Sequence, residues 1–152
     1  MELVRQLHER GCSVACAAML AGLTYEKVWS DQTSGFTEDE VLNLSPIQWS
    51  LYLNYLGFEV GRIYAEEPLL SMVPSLPPGI RYLSASGRDE NHPDYDETWD
   101  PKQNTHSIVI DESGIVFDPG EEAPGSRPLS YYQTYPMKLL FAASVEDRRT
   151  MK

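Results

Sequence analysis

Positive charge is scarce in this chain. Twelve Lys and Arg stand against 23 Asp and Glu among 152 residues, a formal net charge of −11. Such a surface repels nucleic-acid phosphate and anionic lipid, so neither nucleic acid nor a membrane face is expected as a partner. Basic or neutral proteins and peptides are favoured instead. Long apolar runs are also missing: none reaches the roughly 18 to 20 residues that cross a bilayer. The N-terminus lacks a basic stretch followed by an apolar core, so neither anchor nor secretion signal is expected and the default location is cytoplasmic. Cysteine is limited to Cys12 and Cys16. Four positions apart, these two cannot staple distant segments, and they read as free thiols of a reducing compartment. Internal repeats and low-complexity linkers are absent as well. A chain that is 41% hydrophobic at this length buries one sizeable core, which predicts a single domain over residues 1–152.

What is present divides into two halves. Cys12 to Ala21 is apolar nearly all round, the signature of a helix enclosed on every side, and Gly22 is placed to end it. Thr24 caps a short second helix through Val28. Thr37, followed three positions later by Glu40, makes a capping-box pattern, and Ser45-Pro46 puts proline at the first position of a further helix that Gly57 ends. Leu51, Tyr52, Tyr55 and Leu56 share one face of that helix. After Gly57 the period becomes strand-like. The stretches FEVGRIY, GIRYLSAS, THSIVID, GIVFDP and MKLLFAAS are short, rich in β-branched or aromatic residues, and separated by turn residues. Asp111 to Gly114 predicts a hairpin turn between two of them. Helices first and antiparallel strands afterwards make an α+β domain, a central buried helix packed on a sheet.

Cys12 is the unusual residue of this pattern. A thiol is a weak nucleophile near its free pKa of about 8.5, but the N-terminus of a helix and a neighbouring imidazolium both stabilise the thiolate. Cys12 occupies that helix mouth, whereas Cys16 lies one turn deeper and reads as core. Three histidines exist, at positions 8, 92 and 106. His106 opens a strand that would hold its ring rigidly, and is the best partner; His8 is expected at the surface. Twelve residues beyond His106, Asp118 ends the next strand, where its carboxylate can fix the tautomer of an imidazole or start the Asp-Pro-Gly turn, or both. Gln6 would supply a side-chain amide to an oxyanion hole beside the backbone N–H of Cys12.

The segment over residues 88–105 crowds Asp89, Glu90, Asp94, Asp96, Glu97 and Asp100 into a Pro-containing loop just before His106. It lacks the alternating pattern of an EF-hand, so no metal is expected there. The acids read as a solvated surface or as the lip of a substrate site, with Trp99 or Tyr95 packing on a peptide.

The stretch Gln6-x5-Cys12-Ser-Val-Ala-Cys-Ala-Ala-Met-Leu20 resembles the glutamine, cysteine and following helix of the double-glycine peptidase domains that process bacteriocin leaders, a branch of the papain-like cysteine peptidases. HSIVIDESGIVFDP, residues 106–119, is similar to their second motif, histidine on one strand and Asp-Pro at the end of the next. Where members of that family usually have Asp-Cys-Gly, this chain has Gly11-Cys12-Ser13. The resemblance implies a papain-like fold in which Gln6 is the oxyanion glutamine, Cys12 the nucleophile, His106 the base and Asp118 the orienting acid. It implies a thiol hydrolase that needs no cofactor and acts on a protein or peptide, with a Gly-Gly or Gly-Ala bond the first to test. Two other readings remain open: a non-enzymatic acidic binding protein on the same fold, and a side-chain deamidase or transglutaminase using the same cysteine and histidine.

Overall fold

The computed structural model describes residues 1–8, 10–68, 79–88, 106–120, 125–128 and 137–149, with the backbone alone at 62–68, 86–88, 106, 125–128 and 137–141. Four helices precede the main sheet. The first, α1, spans Cys12–Ala21 and ends as its sequence predicts: Gly22 adopts φ 69° and its N–H caps the carbonyl of Ala18. Helix α2, Tyr25–Thr33, starts where the Thr24 side chain accepts from Lys27 N–H. It runs five residues past the expected end at Val28, because Val28 and Gln32 bury one turn apart against the core. Helix α3, Glu38–Val41, and helix α4, Pro46–Tyr55, both carry complete capping boxes, Thr37 with Glu40 and Ser45 with Gln48.

The inward face of α4 differs from the sequence expectation. Trp49 and Leu53 are buried and Tyr52 and Leu56 half-buried, an i, i+3, i+4, i+7 stripe. Leu51 and Tyr55 point outward instead. Trp49 and Leu53 of this face enter the core around α1, and on the same side the Tyr52 hydroxyl donates to Asp31 of α2 at 2.8 Å.

Six strands follow among the described residues: β1 Phe58–Pro68, β2 Arg81–Arg88, β3 His106–Ile110, β4 Ile115–Asp118, β5 Gly125–Pro128 and β6 Met137–Asp147. They form one sheet in the order β1-β6-β2-β3-β4-β5, with every pairing antiparallel. Strand β5 has no counterpart among the five stretches expected from sequence; Gly125-Ser-Arg-Pro128 lacks both alternation and β-branched residues. The chain's last long strand, β6, inserts between β1 and β2, so the first and last parts of the sheet are zipped together. The β3–β4 hairpin is the one predicted. Asp111 Oδ1 accepts from the N–H groups of Ser113 and Ile115 at 2.9 and 2.8 Å, and Gly114 supplies φ 80°.

Helix α1 lies across the sheet, and every residue from Val14 to Ala21 is buried. Around it close Tyr25 and Val28 of α2, Val41, Trp49 and Leu53, and Leu83, Val109 and Val145 from three adjacent strands. Small residues at 15, 17, 18 and 21 let these elements approach α1 from all sides, which explains a helix with no polar face. Its C-terminal end is locked in this core, and its N-terminal end, with Cys12 and Ser13 half-buried, reaches the rim.

Candidate active site

At that rim the chain brings four segments together. Cys12 is the first residue of α1, and Gly11 before it offers no side chain to cap the helix. No acidic side chain stands in the first turn either, so the positive end of the helix dipole acts on Sγ without a competing carboxylate from its own helix. The backbone N–H of Ser107 donates to Cys12 Sγ at 3.4 Å. The peptide unit joining His106 to Ser107 is thereby set directly against the sulfur, and a thiolate is a better acceptor of that bond than a thiol.

Gln6 is nearly buried, at 6% exposure. Its backbone N–H donates to the carbonyl of Pro119 at 3.1 Å, which ties the N-terminal segment to the residue following Asp118. Its side-chain Nε2 donates to the carbonyl of His8 at 3.1 Å. Asp118, 9% exposed, accepts the N–H of Gly120 on Oδ1 at 2.9 Å. The turn role expected of this aspartate is therefore present. Burial pushes the Cys16 thiol well above its ordinary pKa, and negative charge at Cys12 and at Asp118 pushes in the same direction. Cys16 is thus a neutral core thiol, close enough to Cys12 and Asp118 to sense both.

Two contacts bridge distant parts of the chain here, Gln6 N–H to the Pro119 carbonyl and Ser107 N–H to Cys12 Sγ. For His106 the description covers its backbone, which pairs with Ser86 of β2 at the end of the ladder. Trp99, Tyr95 and the acidic segment over 88–105, apart from the backbone of Arg88, lie outside the described residues.

One residue is not where the sequence suggested. His8 is half-buried, its ring stacked on Trp29 with centroids 4.0 Å apart, and its Nδ1 lies 2.7 Å from the Tyr25 hydroxyl. The surface expectation failed because Tyr25 and Trp29 are four apart on α2 and turn toward the N-terminal segment. The periodicity of α2 holds the only sequence signal for this: an aromatic pair on one helical face. Ser107 was likewise unmarked, because a backbone N–H leaves no trace in residue type.

Known structures share this architecture. A double glycine motif protease from an AMS/PCAT transporter, solved in complex with the leader peptide, matches over 93% of this chain and 90% of its own, with a TM-score of 0.53 and 15% identity. The peptidase domain of Streptococcus ComA, a bi-functional ABC transporter involved in a quorum sensing pathway, matches over 96% and 98%, with a TM-score of 0.57 and 17% identity. No protein-family model and no curated protein matches the chain. The chain therefore has the α+β fold of these two peptidase domains. Among the described residues no helix is long and apolar enough to cross a membrane.

Proposed function

We propose that the chain is a cysteine peptidase working by Cys-His-Asp acyl transfer, with residues 1–152 acting as one peptidase domain. The observation that carries this reading is the placement of Cys12 Sγ, at the uncapped mouth of a buried helix and in contact with the backbone of the strand that His106 begins. The structural likeness to a double glycine motif protease and to the peptidase domain of ComA supports peptide cleavage.

In this mechanism the Cys12 thiolate attacks a carbonyl carbon, forming the S–C bond as the carbonyl π pair moves onto oxygen. The oxyanion is held by the Cys12 N–H and the Gln6 amide. The His106 imidazolium protonates the leaving amine as the C–N bond breaks, and neutral His106 then takes a proton from the water that releases the acyl group. Asp118 orients the imidazole and stabilises its charged form. The substrate is a peptide with small residues before the cut, Gly-Gly first, since one neighbour of the same fold was captured with its leader peptide. The deficit of positive charge favours basic or neutral substrates.

The test is a set of peptides containing Gly-Gly or Gly-Ala, incubated with wild type and with Cys12→Ala and read by mass spectrometry. Cleavage by wild type alone is the expected result. A mass increase of about one unit at Gln would instead assign deamidation. Identical peptides after both incubations, with Cys12→Ala retaining full biological activity, would leave the fold as a binding module.

A further inference from the structure

We propose that His8 is a positioning residue of this site: its backbone carbonyl and its ring together hold the Gln6 amide in register with the mouth of α1. The proposal rests on the peptidase reading above and concerns how its oxyanion hole is kept in shape.

Two donors converge on one atom. The His8 carbonyl accepts from Gln6 Nε2 at 3.1 Å and from the backbone N–H of Gly11 at 2.9 Å. One oxygen thus joins the oxyanion glutamine to the residue immediately before Cys12. A glutamine amide is planar and its nitrogen carries two hydrogens, so committing one of them to a fixed carbonyl also fixes the direction of the second. The position of the His8 carbonyl consequently sets where the Gln6 amide points.

That carbonyl is held from the other side by the ring. The imidazole stacks on Trp29 at 4.0 Å with the planes 21° apart, and on Tyr25 at 5.6 Å and 28°. Nδ1 shares a 2.7 Å hydrogen bond with the Tyr25 hydroxyl. Tyr25 is itself 3% exposed and belongs to the core around α1. Its hydroxyl also fills the space over Gly11, where an added Cβ would overlap it. The Tyr25 hydroxyl therefore meets both His8 and Gly11, and neither can shift relative to α1 without breaking the stack, the hydrogen bond or the close approach at Gly11.

The experiment compares two reagents on the folded protein. A peptide aldehyde ending in glycinal adds its carbonyl carbon to the Cys12 thiolate, and the resulting oxyanion needs the hole. Iodoacetamide alkylates the same sulfur by displacing iodide at a saturated carbon, and needs no hole. His8→Ala should weaken the aldehyde by about 10- to 100-fold, the scale of a misplaced catalytic group, while the iodoacetamide rate at Cys12 is unchanged. His8→Phe, which keeps a ring on Trp29, should recover most of the aldehyde affinity. Adding Gln6→Ala to His8→Ala should bring less further loss than Gln6→Ala causes alone, because both act through one amide. Wild-type aldehyde affinity in His8→Ala overturns the proposal. So does a parallel fall in both reagents, which would mean general loosening of the fold. If the wild-type protein forms no aldehyde adduct at all, the peptidase reading fails, and this inference fails with it.

Discussion

Ser107 and Cys12 are 95 positions apart in the chain, yet the Ser107 N–H donates to Cys12 Sγ at 3.4 Å. This bond joins the mouth of the buried helix to the first step of the strand that follows an 18-residue acidic segment in sequence, over 88–105. It also distinguishes the two thiols of the protein: Cys12 is half-buried at the rim, and Cys16 is fully buried.

Alkylation should therefore be selective. Cys12 has a helix N-terminus and a backbone donor to stabilise its thiolate, whereas burial keeps the Cys16 thiol protonated. Limited iodoacetamide at neutral pH, followed by peptide mapping, should find the label on Cys12. Equal labelling of the two cysteines would show that Sγ of Cys12 is not activated.

Nucleophile and base should behave as one unit. Cys12→Ala and His106→Ala should each abolish turnover, with little further loss in the double variant. Gln6→Ala should lower turnover by roughly 10²- to 10³-fold, on the order of 3 to 4 kcal/mol, with substrate binding largely kept. Asp118→Asn retains an oxygen to accept the Gly120 N–H, so the turn survives and any fall in turnover reports on the carboxylate charge. Steady-state kinetics of the folded variants would decide, and independent, additive losses would refute the coupling.

Gly11 should be intolerant of a side chain. A Cβ there overlaps the Tyr25 hydroxyl, and overpacking of this kind costs typically about 1 to 3 kcal/mol. Gly11→Ala should lower the thermal midpoint, and Tyr25→Phe in the same chain should restore part of it by removing the hydroxyl. Wild-type stability in Gly11→Ala would mean that Tyr25 does not pack on this turn.

Stability should decline at both ends of the pH range through one contact between α2 and α4. The Lys27 ammonium 2.9 Å from Asp31, and the Tyr52 hydroxyl that donates to it, hold the Asp31 carboxyl below its ordinary 3.8. A carboxyl lowered in the folded state contributes stability above 3.8, and that contribution is lost as pH falls through the folded value. Tyr52 shifts the other way: burial first, then its bond to Asp31, raise its pKa above 10.0. Its contribution is complete below 10.0 and is lost as pH rises beyond it. Asp31→Asn should flatten the acid limb of unfolding midpoint against pH, and Tyr52→Phe the alkaline limb. Limbs parallel to wild type in both variants would remove this pair from the account.

Local elements, and the chemistry they can carry, were legible in residue order. Capping boxes at Thr37 and Ser45, the αL glycine after Ala21 and the Asp111–Gly114 turn are short-range devices, settled by residues within a few positions of one another. An apolar decapeptide from Cys12 can bury only as a central helix, so the exceptional cysteine at its mouth was visible without a structure. Residue types likewise marked Gln6, His106 and Asp118 as the groups suited to accompany it. What tertiary structure alone decided were relationships between segments far apart in the chain. The inward face of α4 is the one that places Trp49 and Leu53 in the core around α1 and brings Tyr52 to Asp31, which left Leu51 and Tyr55 outside. Strand β5 pairs with the edge of β4 although Gly125 to Pro128 does not by residue type favour extended structure. His8 is a stacked post instead of a surface residue because two aromatics of α2 turn toward it. The anchoring of Cys12 Sγ and of Gln6 runs through backbone N–H and C=O groups, and these are the same at every residue type, so only the folded chain could say which of them meet.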